Sequence, residues 1–322
     1  MNNSNLLSLI SAGLHYASGF DREPRLSILI YHRVLPAYDF IRPTDVIAET
    51  FDWHMELISR YFNPLTFGQA IRHLKFGTLP PKSVCVTFDD GYADNVEVAL
   101  PILQKWKVPA TFFISTGFIE NGLMWNDTIA ETIRQLKGRE LDLTFCGLER
   151  FEIATKSQRY SVLKKILTTI RYFPLERRNE VASTIASLAD TLPRDLMMTK
   201  SQVKKISVSG MELGGHTVTH PILTTLTPDL AREEIGQGKE QLEAIIGEKV
   251  RYFAFPTGKP IQDYSLDHIK MLRTLGFEAA VSTKWGVSNS ESNIWQLPRF
   301  TPWDKTPIRF VLRMMQNYRH LE

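Results

Sequence analysis

Cysteine is scarce. The 322-residue chain has two, Cys85 and Cys146, too few for a disulfide framework or a cysteine-based zinc site. Excess charge is scarce as well: 38 Lys and Arg against 35 Asp and Glu leave a net of +3, which by itself argues for no nucleic-acid partner. No apolar run reaches the roughly 18 residues that a membrane span requires. There is no G-x-S-x-G, no Walker A loop and no G-x-G-x-x-G, so serine esterase, nucleotide and dinucleotide readings lose their anchors. Residues 6–10 are apolar, but no Lys or Arg precedes them and no convincing small-residue cleavage site follows. The expectation is therefore a cytoplasmic or membrane-peripheral protein rather than a secreted one. What is present, 43% hydrophobic and 23% charged residues with 18 Gly and 17 Pro, suits a core-rich, enzyme-sized globular chain.

Short β-rich apolar runs alternate with helical stretches, the pattern of an α/β fold with a parallel sheet. Strands are expected at 26–31, 83–88, 110–115, 211–214, 252–255, 278–282 and 296–300. Several are nearly continuous apolar runs, as in strands covered on both faces. Helical spacing marks 51–61 and 93–106, and 305–318 reads as a closing helix. The stretch 227–247 opens on Thr-Pro and stops at Gly247, a capped start and a glycine end. From about 126 to 205 the chain is mainly helical, with no strong strand expected between Ile114 and Met211. Residues 131–205 hold 15 Lys and Arg against 9 Asp and Glu, a net of +6, and the rest of the chain carries −3. Solvated helix faces are the plainer explanation. A lid, or a patch for an anionic glycan or lipid surface, is the sharper one. The expected organisation is an N-terminal segment 1–25 and one domain, 26–322, interrupted by this basic helical insertion.

Two motifs carry chemistry. Thr87-Phe88-Asp89-Asp90-Gly91-Tyr92 sets adjacent carboxylates at the end of an apolar strand, where two acids can serve one site in different roles. An Asp-Gly turn with a helix cap would explain the same letters. Gly214-Gly215-His216-Thr217-Val218-Thr219-His220-Pro221 offers two imidazoles four residues apart; Pro221 favours a compact loop over a helix interior. Together they supply two neutral nitrogens and a carboxylate, a ligand set suited to zinc, cobalt, nickel or iron. Three protein ligands leave positions open for water and substrate, and the second acid stays free as a base.

On these residues the chain resembles the polysaccharide deacetylases of the NodB-homology type, a carbohydrate esterase family. Thr87 to Gly91 matches that family's T-F-D-D-G motif and His216 to His220 its H-[ST]-x-x-H motif. Phe253-Ala254-Phe255-Pro256-Thr257-Gly258 is similar to the third. The resemblance implies a distorted (β/α) barrel with the site at the C-terminal ends of the strands. It implies that Asp90, His216 and His220 hold a divalent metal, zinc first, and that Asp89 is the general base. It also implies an oxyanion donor in the Thr257 backbone N–H. The activity implied is removal of N-acetyl groups from an amino-sugar polymer or glycolipid, with an N-acetylated glycan as partner and no nucleic acid. An O-acetyl esterase, a non-sugar amidohydrolase or a silent carbohydrate-binding module remain as alternatives.

Two departures bear on mechanism. Many members brace the catalytic Asp with a third-motif Arg, where this chain has Ala254. Many supply a late Leu-x-His acid, where it has Leu297-Pro298-Arg299. His268, in a helical stretch, and His320, near the C-terminus, are poor substitutes. A branch resembling poly-N-acetylglucosamine deacetylases takes its acid from a Tyr-His pair, which assigns that role here to His32 of Tyr31-His32. Arg299, at the end of the last expected strand, is assigned the missing brace of Asp89. Tyr92 and Trp125 are candidate substrate contacts, Trp125 as a sugar-facing wall. Trp106, Trp285 and Trp303 are expected in the core, Asp94 and Asn95 at a helix start, and Cys85 as a small buried hydrophobe.

Overall fold

Residues that are apolar on both strand faces need cover on both faces, and a parallel sheet under helices provides it. In a computed structural model that describes residues 13, 23–120 and 122–320, β1 (Leu26–Tyr31) and β5 (Ser83–Phe88) are buried at every position. The apolar run at 6–10 and most of the expected N-terminal segment lie outside the described residues. Between β1 and β5 come the short β2 (Val34–Leu35) and β3 (Val46–Ile47), α1 (Ala48–Tyr61), β4 (Asn63–Leu65) and α2 (Phe67–Phe76). The chain continues through α3 (Leu100–Trp106), β6 (Ala110–Ile114), α4 (Trp125–Gln135), β7 (Glu140–Asp142), β8 (Arg150–Glu152), α5 (Lys156–Ile170), α6 (Leu175–Ala186) and α7 (Lys200–Val208). It closes with β9 (Glu212–Gly215), α8 (Pro228–Ile246), β10 (Tyr252–Ala254), α9 (Leu266–Thr274), β11 (Ala279–Val281) and α10 (Pro307–Asn317).

The main sheet runs β1-β5-β6-β9-β10-β11, parallel at every pairing, with β4 on the first half of β5. This curled α/β sheet is the expected barrel-type fold. Its two edges are joined by the stretch expected as a seventh strand. The Leu297 N–H donates to Ala280 O of β11 at 3.0 Å and its carbonyl accepts from the Ser282 N–H at 2.9 Å, while the Phe300 N–H donates to Ile28 O and its carbonyl accepts from the Ile30 N–H of β1 at 2.7 and 2.9 Å. Residues 297–300 form bridges rather than a strand because Pro298, midway, has no N–H to continue a ladder. The strands of this sheet being parallel, their C-terminal ends share one rim, and the residues of the two motifs follow strands that end on it.

The segment between β6 and β9 differs from expectation in one respect: β7 and β8 pair antiparallel as a small hairpin among the helices. Three-residue strands with exposed flanks carry too short an apolar pattern to read in sequence. This segment has a hydrophobic core of its own, built from Ile129, Ile133, Phe151, Leu163, Ile166 and Ile185 among others. Arg42 ties it to the rest through Asp127 at 2.8 Å and Glu131 at 3.0 Å. The expected helix at 93–106 opens as a π-helical turn, and Asp94 does not cap it. Asp94 instead accepts from the Val34 N–H at 3.1 Å and from Arg33 at 2.7 Å. Cys85 is fully buried, whereas Trp285 and Trp303 are exposed and Trp106 packs half-buried on the core. Among the described residues no helix is long and apolar enough to cross a membrane.

Candidate active site

β5 ends at Phe88, and the next two residues turn out over the rim. The Asp89 N–H still donates to Tyr31 O at 3.0 Å, and Asp90 O accepts from Ser115 at 3.2 Å, so both neighbouring strands hold the turn. Asp90 has φ 79°, a left-handed conformation that a non-glycine residue adopts only where its surroundings impose it. β9 delivers His216 in the same way. Gly214, just before it, lies where a Cβ would come within 2.4 Å of the Phe113 ring, so the close packing of β6 and β9 requires the glycine. The loop from His216 to His220 is compact, as Pro221 implies. His220, at φ 52°, gives its N–H to Thr217 Oγ1 at 3.1 Å. Glu234 of α8 accepts from the N–H groups of Val218 and Thr219 at 2.9 and 2.8 Å and from the Thr219 hydroxyl at 2.6 Å.

These turns bring Asp90, His216 and His220 together, with one ligand atom from each lying within 4.8 Å of the others. Both imidazole Nε2 atoms stand 3.4 Å from Asp90 Oδ1, which is buried with no hydrogen-bond partner among the described residues. His216 Nδ1 lies 2.7 Å from Ala254 O. A carbonyl can only accept, so Nδ1 carries a proton and Nε2 is the ring nitrogen turned toward Asp90. Burial pushes His220 down to about 4, more than Asp90 draws it up, so it is neutral and able to ligate at pH 7. An orphaned carboxylate oxygen facing two oriented nitrogens fits a divalent cation, and this donor set is one that zinc, cobalt, nickel or iron shares.

Asp89 is held differently. Arg299 Nη1 and Nη2 reach its two oxygens at 2.7 Å each, and Arg299 Nε donates to Ser282 O at 2.9 Å. Both side chains are buried. Burial alone would raise the Asp89 pKa, but the Arg299 guanidinium and then His216 outweigh it and hold the carboxyl below its usual range. Ala254 leaves no cation in the third motif, and Arg299 occupies that electrostatic place from the stretch that joins the two sheet edges.

The remaining residues divide. His32 follows β1, is exposed, and lines the mouth of the cleft, its carbonyl held by Asn95 Nδ2 at 2.8 Å. Thr257, at φ 59°, lines it too, and its carbonyl accepts from the Thr283 hydroxyl at 2.7 Å. Trp125 lines the opposite wall. Tyr92 does not reach the cleft: it is buried, and its hydroxyl donates to Asp127 at 2.9 Å, which makes it a packing residue. His268 lies outside the cleft, accepting at Nδ1 the Ser265 N–H of a helix cap at 2.9 Å, and His320 packs against Trp285. The cavity, about 320 Å³, is also lined by Asn126, beside Trp125 in the stretch read as a sugar-facing wall, and by Met124, Leu167, Arg171 and Arg178, which the sequence did not single out. Only the basic balance of 131–205 hinted at the last two.

A fold and a site of this kind define a class of enzymes working at the rim of a curled parallel sheet. The chain belongs to the polysaccharide deacetylase family, whose model matches residues 76–280. It is 20% identical over 281 residues to YxkH of Bacillus subtilis (strain 168), a protein named for the polysaccharide deacetylases, covering 87% of this chain and 72% of that one. It is 44% identical over 55 residues to the poly-beta-1,6-N-acetyl-D-glucosamine N-deacetylase of Staphylococcus aureus (strain MSSA476), covering 17% and 19%. Among solved structures it is similar in fold to the Streptococcus pyogenes deacetylase PplD, with TM-score 0.61, 20% identity, and 91% and 99% of the two chains covered. IcaB from Ammonifex degensii gives 0.59 and 21%, with 92% and 97% covered. The chain is thus a NodB-type deacetylase resembling the poly-N-acetylglucosamine deacetylases.

Proposed function

We propose that this protein is a metal-dependent hydrolase that removes N-acetyl groups from an amino-sugar polysaccharide or glycolipid and releases acetate. The observation that carries the reading is the convergence of Asp90, His216 and His220 within 4.8 Å beside a separate carboxylate, Asp89, 3.9 Å from His216 Nε2. The Staphylococcus aureus relative is named for an N-acetylglucosamine polymer, which supports that substrate class. Residues 26–322 act as one domain in this reading, and the helical segment at about 126–205 supplies one wall of its cleft.

Asp90, His216 and His220 would hold the metal, zinc by preference. When bound, it polarises the acetamide carbonyl and offsets the negative charge that develops there. Asp89 is the general base and takes the proton of the attacking water. Each carboxylate oxygen has two lone pairs, so the bidentate Arg299 leaves acceptor capacity toward the cleft. Arg299 is a positioning residue that keeps Asp89 ionised and its plane fixed. The Thr257 N–H donates to the developing oxyanion. His32, at the mouth, protonates the nitrogen as the amide C–N bond breaks, leaving acetate and a free amine.

Acetate release by the purified protein from N-acetylated and O-acetylated glycans, with and without chelator, tests the reading. Release from the N-acetylated set that chelator abolishes is the expected result. Release confined to O-acetylated substrate, or unaffected by chelator, would overturn it.

A further inference from the structure

Three enclosed guanidinium groups among the described residues are paired with acids. Arg33 has Asp94 at 2.7 Å, Arg42 has Asp127 at 2.8 Å, and Arg299 has Asp89 at 2.7 Å. Arg178, in α6, has none. It is only 4% exposed, yet its guanidinium makes no hydrogen bond or ion pair with any described residue, and its Nε is wholly enclosed. Its one compensation is the Trp125 ring, 5.0 Å from the guanidinium carbon. Burial without a counter-charge pushes Arg178 down to about 10. An unpaired buried charge opposes folding, so a group of this kind persists where something outside the folded chain completes it. Arg178 lines the same cavity as Asp89, Asp90, His216 and His220, with Arg171 beside it. Neither acid of that cavity pairs with Arg178: Asp89 is held by Arg299, and Asp90 faces the two histidines.

We infer that this wall is a subsite for an oxyanion, a carboxylate or phosphate carried by the glycan near its N-acetylated sugar, with Arg178 as the recognising residue. The planar fork of a guanidinium matches either group with two parallel hydrogen bonds, and the Trp125 face beneath keeps the fork in plane. A neutral N-acetylglucosamine polymer offers such a group hydroxyl and carbonyl acceptors but no negative charge to balance it. The inference rests on the deacetylase reading and narrows its substrate to an acidic glycan.

Three probes of equal length test it by calorimetry on the full, metal-loaded chain: an N-acetylglucosamine oligomer, the same oligomer with one neighbouring sugar replaced by glucuronate, and the same oligomer with a terminal phosphate. One charged probe should bind wild-type protein at least tenfold more tightly than the neutral one, with the advantage shrinking as salt rises. Which charged probe wins separates carboxylate from phosphate. Arg178→Gln should erase the advantage, and Arg178→Lys, which keeps the charge but not the fork, should keep part of it. Equal wild-type affinity for all three probes overturns the inference whether or not a variant folds, as does an advantage that survives in folded Arg178→Gln. Binding is read without turnover. Absence of acetate from all three probes would sink the deacetylase reading alone, and acetate release without a charge preference would sink the subsite alone.

Discussion

On the floor of the cleft, Arg299 gives both terminal nitrogens to Asp89 and its Nε to a strand carbonyl. On the helical wall, Arg178 is buried nearly as deeply and is given nothing but an aromatic face. The floor rests on parallel strands whose ends are held by their neighbours' backbones. The wall belongs to a segment with its own hydrophobic core. The two guanidinium groups have the same chemistry and opposite bookkeeping, which separates a charge that organises the site from one positioned to meet a ligand. A paired buried charge is a structural part whose removal strands its partner. An unpaired one is a structural cost that a ligand can offset.

The largest effect that bears on this contrast is at the metal cluster. His216→Ala or Asp90→Asn should abolish stoichiometric metal binding and lower acetate release by about 10³-fold or more, because the ligands act as a unit. Metal analysis and release assays on the same preparation check this. Metal retained at full stoichiometry would contradict the assignment.

Next is Arg299→Met, which leaves Asp89 buried and unpaired. It should cost about 3–5 kcal/mol in urea unfolding, and adding Asp89→Asn should recover much of that without restoring activity. A loss below about 1 kcal/mol would place Arg299 among ordinary surface pairs.

A third buried group resolves its charge by staying neutral. His54 of α1 lies with Nδ1 3.0 Å from the Tyr31 hydroxyl and its ring stacked on Phe310, and burial pushes it down to about 3. In the unfolded chain it titrates near 6.5, so the unfolded state takes the proton first. Its contribution is therefore complete above that value and is lost as pH falls toward 3. Between about pH 7 and 4.5 the loss from this group is about 2–3 kcal/mol. His54→Gln, which keeps an acceptor for Tyr31, should flatten the pH dependence of urea unfolding by that amount. An unchanged slope would show that His54 is not its source.

The smallest effect is the most pointed. Arg178→Met should leave stability unchanged or raise it by up to about 1 kcal/mol, since it removes an unpaired charge and loses only the contact with Trp125. Chemical unfolding beside the Arg299 variant makes the comparison direct. A loss of several kcal/mol at both positions would erase the distinction between floor and wall.

Much of the floor is legible in the sequence alone. Asp89, Asp90, His216 and His220 lie in two runs of consecutive residues, each just after an apolar strand, and the backbone of a strand end decides locally what such residues face. Arg299 could be set opposite Asp89 because both follow strands of one sheet, although the joining stretch proved to be bridges around Pro298. Tyr92 shows the limit of that reasoning. It adjoins the motif, yet its hydroxyl turns to Asp127 in a helix 35 residues on, and nothing in the run of letters distinguishes that from facing the cleft. The β7–β8 hairpin and the exposed Trp303 escaped for a like reason, since burial of a short or isolated apolar residue depends on what the remote chain lays over it.

By itself, then, the sequence determined the α/β class and, through motif chemistry, singled out Asp90, His216 and His220 as one cluster, because strand periodicity and motif spacing act between neighbours. Only the tertiary structure decided which cations received acids, that Trp125 lies beneath Arg178, and that both face Asp89 across one cleft. Those pairings depend on distances between residues far apart in the chain, which packing alone sets.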